Sequence, residues 1–388
     1  MKALKPAANG RPPKDGNGQK RNGAKTSGNG NGHTKTPIIL PQLKPDGQAP
    51  KVSVRVTESQ PSTLTIKLKS ERPSFDTTPK TPWLNPTQFD RPSFVMNFPF
   101  SYATGVANNP WMEDMKGDKR NPDFTRAAVQ FLAVYQNISA EGLVYLVPTP
   151  QGADLQDLMY TANLGIVLGH LPDKNTVVVS NFASPPRRGE TQVGVKFFKD
   201  MGYDVHVAPA YFEGEAELKH LYDNVYIGGY GIRSDRATYD WMEEKFDMKI
   251  VKVREVEPYL YHLDCSIFPI TKENTLVCTE LFTKKELAQM GKVTNIIDVS
   301  VDECFSGICN SVRLPNQVLN SSHIHDLKAG TEDYKFEITK NRKLEDIAAN
   351  LALEISYFNL SEFHKSGALL SCMVMHLNRA CYNIALTA

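Results

Sequence analysis

The chain reads as an α/β domain behind a long N-terminal tail, on three observations. From about residue 93 onward, short apolar runs alternate with helical patterns, the signature of strands and helices interleaved in one layered domain. Hydrophobic residues make up 41% of the 388 positions, compatible with a sizeable packed core. Upstream the texture differs: residues 1 to about 36 are rich in Gly, Asn, Lys and Pro, and Pro-rich pieces such as Thr78-Pro79-Lys80-Thr81-Pro82-Trp83 recur to about residue 90. Such a segment cannot bury enough apolar surface to offset its ordering entropy. The expected organisation is a disordered basic tail and linker over 1–90 and a folded domain over 91–388.

Within the domain, apolar positions recurring every three to four residues predict helices, and short apolar runs predict strands. In chain order these are a helix over Asn121–Ser139, strands over Leu143–Val147, Ile166–Leu168 and Thr176–Ser180, and a helix over Thr191–Met201. A strand over Val225–Ile227 leads to a helix over Ser234–Phe246, with Ser234 as the N-cap candidate. Strands over Ile250–Val253 and Thr275–Cys278, a helix over Thr283–Gln289, strands over Ile296–Val299 and Val318–Asn320, and a helix over Asn341–Leu353 complete the series. No short sequence repeat stands out.

Composition excludes several classes. Lys+Arg is 44 and Asp+Glu is 43, a balance that argues against nucleic acid as the main partner, weak contacts of the basic tail aside. No uninterrupted apolar run is long enough to cross a bilayer, so no membrane partner is expected, and the first residues lack the apolar core of a secretory signal. Six cysteines are scattered without a disulfide-framework spacing, which fits a reducing, cytoplasmic compartment.

Candidate chemistry collects in a few segments. Gly367-Ala-Leu-Leu-Ser-Cys372 carries a cysteine close behind a glycine. A cysteine nucleophile needs a histidine to move protons and, for a cationic substrate, carboxylates to hold it. His262 and Asp264, two apart, face one side if the segment is extended. By the same alternation Glu213, Glu215 and Glu217 would share a face, and three clustered carboxylates invite a cation. Arg187 and Arg188 offer fixed cations able to clamp a carboxylate. Gly228 to Asp235 has glycines after a strand but neither the dinucleotide nor the P-loop spacing. Cys304, Cys309, His323 and His325 match no common structural zinc spacing, so no metal is expected.

These segments occur in an order that resembles the guanidino-group-modifying superfamily of arginine deiminases, arginine dihydrolases, dimethylarginine hydrolases and amidinotransferases. The resemblance covers about residues 95 to 378. It rests on Asn109-Pro110-Trp111-Met112, Tyr160-Thr161-Ala162-Asn163, Arg187 with Gly189-Glu190, Phe212-Glu213-Gly214, Gly229 to Asp235, Tyr261-His262-Leu263-Asp264, Cys309-Asn310 and the Cys372 segment. It implies a five-bladed α/β propeller, the pentein fold. It implies Cys372 as nucleophile, His262 as general acid and base, and Glu213 and Asp264 as the carboxylates that hold the guanidinium. Asn163, where deiminases and transferases usually place an aspartate, points to the dihydrolase branch; Arg187 and Arg233 match substrate-carboxylate ligands.

The implied function is cysteine-dependent hydrolysis of the guanidino group of arginine or an arginine-like compound through an S-amidino intermediate, without metal or cofactor. An amidinotransferase, with an amine replacing water, is the alternative, and a non-catalytic guanidine-binding protein the third reading. The partner is a small guanidino compound, and a homo-oligomer is compatible with the family. Where the family usually carries Phe-Asp-Val ahead of Asn-Pro-Trp-Met, this chain has Tyr102-Ala103-Thr104. The aspartate of that motif lies near the substrate's α-amine, so a substrate with a blocked or missing amine is expected. The glycine run before Cys372 is reduced to Gly367 followed by Ala368 and Leu369, and an aspartate of the Phe-Glu-Gly segment is replaced by Glu217.

Overall fold

A computed structural model describes residues 85–115 and 117–383. Most of the expected tail lies outside the described residues. Its last stretch, Pro86–Gln88, is a 3-10 turn closed by a capping box from Asn85 and Gln88, and Thr87 bonds the buried hydroxyl of Tyr203 at 2.7 Å. Folded chain thus begins before residue 91.

The remainder is one supersecondary unit used five times. Each unit holds a three-stranded sheet whose middle strand pairs antiparallel with one neighbour and parallel with the other. The middle strands are Ser93–Met96, Thr176–Val179, Val225–Tyr230, Asn274–Val277 and Gln317–Ser321. A parallel pair needs a crossover connection. The crossovers contain the helices Phe124–Glu141, Glu190–Asp200, Arg236–Phe246, Lys284–Met290 and Glu332–Asn350. The parallel strands that follow are Leu143–Leu146, Asp204–Val207, Lys249–Arg254, Asn295–Asp298 and Glu354–Phe358. Four antiparallel strands, Gly165–Val167, Leu218–Tyr222, Ile267–Pro269 and Val312–Leu314, directly precede their middle strands. The first sheet instead takes Met375–His376 from near the end of the described chain.

Helix and sheet pack face to face in each unit. In the first, Ala127, Phe131, Val134 and Ile138 recur at helical spacing and are buried against Phe94 and Met96. Burying each large side chain contributes roughly 1.5–3 kcal/mol. In the last, Leu344 and Ile347 pack against Val318.

The boundaries shift modestly from expectation with one exception: the helix expected at Asn341 starts at Glu332, where the Thr331 side chain accepts from Tyr334 N at 3.3 Å. Ser234 is not the N-cap expected; Asp235 occupies that position, and the Ser234 hydroxyl accepts instead from the backbone N–H of Glu213 at 3.2 Å.

The site is set by what precedes the antiparallel strands. Thr161–Asn163, Gly214–Ala216, Leu263–Cys265 and Ser371–Met373 are 3-10 turns, and Cys309–Asn310 occupies the corresponding place in the fifth unit. These turns interlock. Thr161 Oγ1 donates to the carbonyls of Val95 and Met373, at 2.9 Å each, tying the first strand to the cysteine turn. Gly214 has φ +71, and a Cβ there would lie 2.5 Å from the carbonyl oxygen of Ala162. Only glycine allows the two backbones to approach this closely.

Gly214→Ala is therefore expected to cost about 1–3 kcal/mol, read as a lowered urea midpoint at unchanged slope. Native-like stability in that variant would contradict the close approach.

Candidate functional site

Each turn delivers one or two polar side chains to a common cleft. Asn163, Arg187, Arg233, His262 and Cys372 all line it, together with Asn108, Asp157, Tyr160 and Tyr261. Glu213 and Asp264 sit behind it, in contact with His262 and Cys372 respectively. All seven residues singled out in the sequence therefore converge, although they span positions 163 to 372.

Glu213 is the electrostatic centre. It is wholly buried, a position that ordinarily favours the neutral carboxyl. The His262 Nε2–H donates to its Oε2 at 2.7 Å, Arg233 Nη1 lies 3.4–3.5 Å from both oxygens, and the Ser184 N–H donates to Oε1 at 3.3 Å. Against the penalty of burial, these donors and charges hold the carboxyl at about 2, so it is ionised. Asn163 flanks the pair, its amide 3.3 Å from His262 Nε2 and donating to the Glu213 carbonyl at 3.2 Å.

His262 is itself only 3% exposed. Burial lowers its pKa, and Glu213 recovers only part of the loss, so the resting imidazole is neutral at neutral pH. Cys372, 6% exposed, lies on the other side. Its Sγ is 3.7 Å from Asp264 Oδ2 and accepts from Asn310 Nδ2 at 3.5 Å. Burial, with the Asp264 carboxylate adding to it, pushes the thiol up to about 12. The resting sulfur is thus a thiol. Asp264 also accepts from Ser371 Oγ at 2.6 Å, and Asn310 Oδ1 accepts from Ser371 N at 2.8 Å, which fixes the cysteine turn from two sides.

The two arginines are held differently from a simple pair of anion ligands. Arg187 is clamped by Glu190 through Nε and Nη2 at 2.9 and 2.7 Å, and Nη2 also reaches the carbonyls of Asp157 and Tyr160. Arg233 lies over the Tyr261 ring at 4.8 Å, pairs with Glu213, and donates to the Asn108 carbonyl.

The expectation of one acidic face over Glu213, Glu215 and Glu217 fails, because the 3-10 turn replaces the extended alternation. Glu213 turns toward His262 behind the cleft, Glu215 pairs with His376 and Arg379 at 2.6 and 2.9 Å, and Glu217 turns toward Glu255.

Two residues without an expected role belong to the site. Asn310 touches the sulfur, within a segment that the sequence had marked only as part of a pattern. Asp157 is a buried carboxylate lining the cleft, accepting from Asn108 Nδ2 at 2.6 Å and Gln156 Nε2 at 3.3 Å. Burial pulls its pKa up, opposed chiefly by Arg187. Asp157 gives the cleft a buried acidic side chain, while Ala103 stands where the family usually carries an aspartate.

Gly367, with φ +76, runs against Asn109 Oδ1 and the Trp111 ring, at 3.0 and 3.1 Å from where a Cβ would lie. Asn109 caps the helix Pro110–Asp114 and bonds the Ser366 carbonyl at 2.9 Å, fastening that segment to the approach to the cysteine. Among the described residues no group of three or more His, Cys, Asp or Glu side chains is placed to hold a metal ion. Cys304 and Cys309 have their sulfurs 4.0 Å apart in the core, and His323 stacks on His364.

Five ββαβ units around a buried cysteine, histidine and paired carboxylates define the class of guanidino-group-modifying proteins. The chain belongs to the family described as N,N dimethylarginine dimethylhydrolase, eukaryotic, whose model matches residues 96–379. Among curated relatives, the bifunctional arginine dihydrolase/ornithine cyclodeaminase AgrE of Nostoc sp. is 25% identical over 290 residues, 73% of this chain and 37% of AgrE. The match thus spans little more than a third of that longer protein. The uncharacterised protein ZK1307.1 of Caenorhabditis elegans is 24% identical over 72% of this chain and 91% of its own length. Two solved structures share the fold. The N-terminal domain of ArgZ, a cyanobacterial arginine dihydrolase bound to its product, superposes with a TM-score of 0.64 at 24% identity over 74% of this chain and 97% of that domain. A dimethylarginine dimethylaminohydrolase carrying an S-methyl-L-thiocitrulline adduct gives a TM-score of 0.55 at 17% identity over 74% and 99%.

The raised thiol pKa has a direct readout. Alkylation of Cys372 by iodoacetamide in the free protein is expected to keep accelerating with pH well past the range of an ordinary thiol, about 8.5. Asp264→Asn removes a negative charge from beside the sulfur and is expected to shift that profile toward lower pH. A profile centred on the ordinary value in both proteins would contradict the arrangement.

Proposed function

We propose that this cleft hydrolyses a C–N bond in the guanidino group of arginine or an N-methylated arginine, with its five sheets arranged as the blades of an α/β propeller. The observation that carries this is the juxtaposition of an ionised, fully buried Glu213 and its His262 partner with a cysteine beside a second carboxylate, Asp264. Buried carboxylates on both sides suit a planar cation that donates hydrogen bonds to each. On this reading Glu213 and Asp264 hold the guanidinium between them, Arg187 and Arg233 face the α-carboxylate, and Asp157 takes the α-amine.

The charge states suggest the order of events. A neutral imidazole and a thiol lining one cleft are inert toward a guanidinium. Binding of the cation offsets the negative field of Asp264 and lowers the cost of the thiolate, so the substrate activates its own nucleophile. Sulfur attacks the guanidino carbon; the C–N bond to the departing amine breaks as His262, charged by the proton taken from the thiol, protonates it. A water, deprotonated by His262, then attacks the S-amidino carbon, the C–S bond breaks, and a ureido product and thiolate remain. Asn163, uncharged beside His262, supports a second round on the ureido group, as in a dihydrolase. Water as acceptor accords with the family description and with relatives named as hydrolases.

The test is product analysis by mass spectrometry with arginine, its N-methylated forms and N-acylarginine in water without added amine. Ammonia or methylamine release is expected, abolished by at least about 10³-fold in Cys372→Ala. Asp157→Asn is expected to raise KM for free arginine on the order of 10-fold or more while leaving N-acylarginine unaffected. Turnover surviving in Cys372→Ala, or product formed only when an acceptor amine is supplied, would overturn hydrolysis by this cysteine.

A further inference from the structure

Directly behind the His262–Asp264 turn lie two carboxyl groups that the proposed reaction does not use. Glu217 and Glu255 are buried and converge on one point, their Oε2 atoms lying 3.1 and 3.0 Å from where a Cβ of Gly229 would be. Glu217 Oε2 accepts from the backbone N–H of Leu263 at 3.2 Å, the peptide between the two reacting residues. Glu217 Oε1 and both oxygens of Glu255 meet no protein donor. Two carboxylates cannot hydrogen-bond each other when both are charged; one must bring a proton.

We propose that Glu217 and Glu255 share a proton and act together as positioning residues for His262 and Asp264, a role that rests on the reading of those two as reacting groups. The geometry is built for the pair. Gly229 flanks it, and a Cβ there would lie 2.8 Å from Glu255 Cδ and 3.1 Å from Glu217 Oε2. Tyr239, from the neighbouring helix, spends its hydroxyl on the backbone carbonyls of Glu217 and Gly229 and so pins the strand without neutralising either acid. The charged groups facing the pair are Glu213 and Asp264, which oppose ionisation, and Arg233, which favours it but is already engaged by Glu213 and Asn108. Burial and this negative surrounding raise both carboxyls above their ordinary range. The shared proton thereby keeps a third negative charge from building up behind the guanidinium-holding carboxylates, and the O–H···O bond holds Glu217 where it can anchor the Leu263 peptide.

The sign of the pH dependence follows. A carboxyl whose folded-state pKa is raised stabilises the fold below its unfolded pKa, and that contribution is lost as pH rises through the folded value. Glu217→Gln/Glu255→Gln is isosteric, keeps a donor for the bond and cannot ionise. Melting temperatures of the full chain between about pH 5 and about pH 9 are expected to fall more steeply in the wild type than in the double variant, by several degrees across the range. The alkaline decline of kcat should move upward or vanish in the double variant, whereas Glu217→Ala should lower kcat at least about 10-fold with a smaller change in KM. Should the double variant fold poorly, Glu255→Gln alone donates to Glu217 and gives the same readouts. A melting-temperature difference independent of pH, or an unchanged alkaline limb, would overturn the proposal. The melting arm does not need turnover, so it reads the proton sharing even if no guanidino substrate is found. Turnover with an unchanged alkaline limb would reject the pair's role and leave the hydrolase reading standing.

Discussion

A negative charge kept ionised with no exposed surface is the constraint on which the rest of this site depends. Glu213 holds its charge only because a histidine, an arginine and a backbone amide are fixed around it. Removing any one partner would leave a buried charge uncompensated, a loss typically larger than the net worth of the pair. Three units must therefore stay in register: the one that carries both Glu213 and Arg233, the one that carries His262, and the one that carries Ser184. Gly214 permits its turn to approach Thr161–Asn163, and Ser234 holds the Glu213 amide. Fold and site are the same set of constraints at this point.

The burial that the partners of Glu213 must overcome also leaves Cys372 and His262 uncharged. Cys372 and His262 are both driven toward their neutral forms, by burial in each case and by Asp264 for the thiol. A site in this state resists adventitious oxidation and alkylation, because the thiolate is the reactive species. Glu215, one turn residue away, is ionised by Arg379 and His376 on a different side and takes no part in this balance. Proximity in sequence is a poor guide to electrostatic partnership here: alternate residues of one acidic run serve three different clusters.

Much of the fold was legible from the sequence, unevenly. The alternation of apolar runs and helical periodicity identified four of the five middle strands and all five crossover helices. Ser93–Met96 was missed, as were strands such as Leu218–Tyr222, Glu354–Phe358 and Met375–His376. These are short or carry polar residues, and their existence depends on partners distant in the chain, which local pattern does not record. The start of the Glu332 helix was hidden because its first turns, Glu332-Asp333-Tyr334-Lys335-Phe336, have weak apolar periodicity; Thr331 sets the boundary. The fivefold repetition was implied by the family resemblance and left no repeat in the sequence, since the units share backbone form and not residue identity.

The site was legible where residue types carry their chemistry with them: cysteine, histidine and the flanking acids stood out, and their order matched a known pattern. Asp157 did not, because its place in the cleft depends on Asn108 approaching from another loop. The tripartite split of Glu213, Glu215 and Glu217 escaped because one positive-φ glycine converts a strand-like alternation into a turn. Local geometry at a single residue decided which carboxylate meets His262.

The most direct measurement is an acid quench of the protein during reaction with a slowly processed guanidino compound, followed by peptide mass spectrometry. The expected result is an amidino mass increment on the peptide containing Cys372, absent in Cys372→Ala and prolonged when His262 is replaced by glycine. Turnover with no modified Cys372 peptide at any quench time, or an adduct on a different residue, would contradict nucleophilic attack by this sulfur.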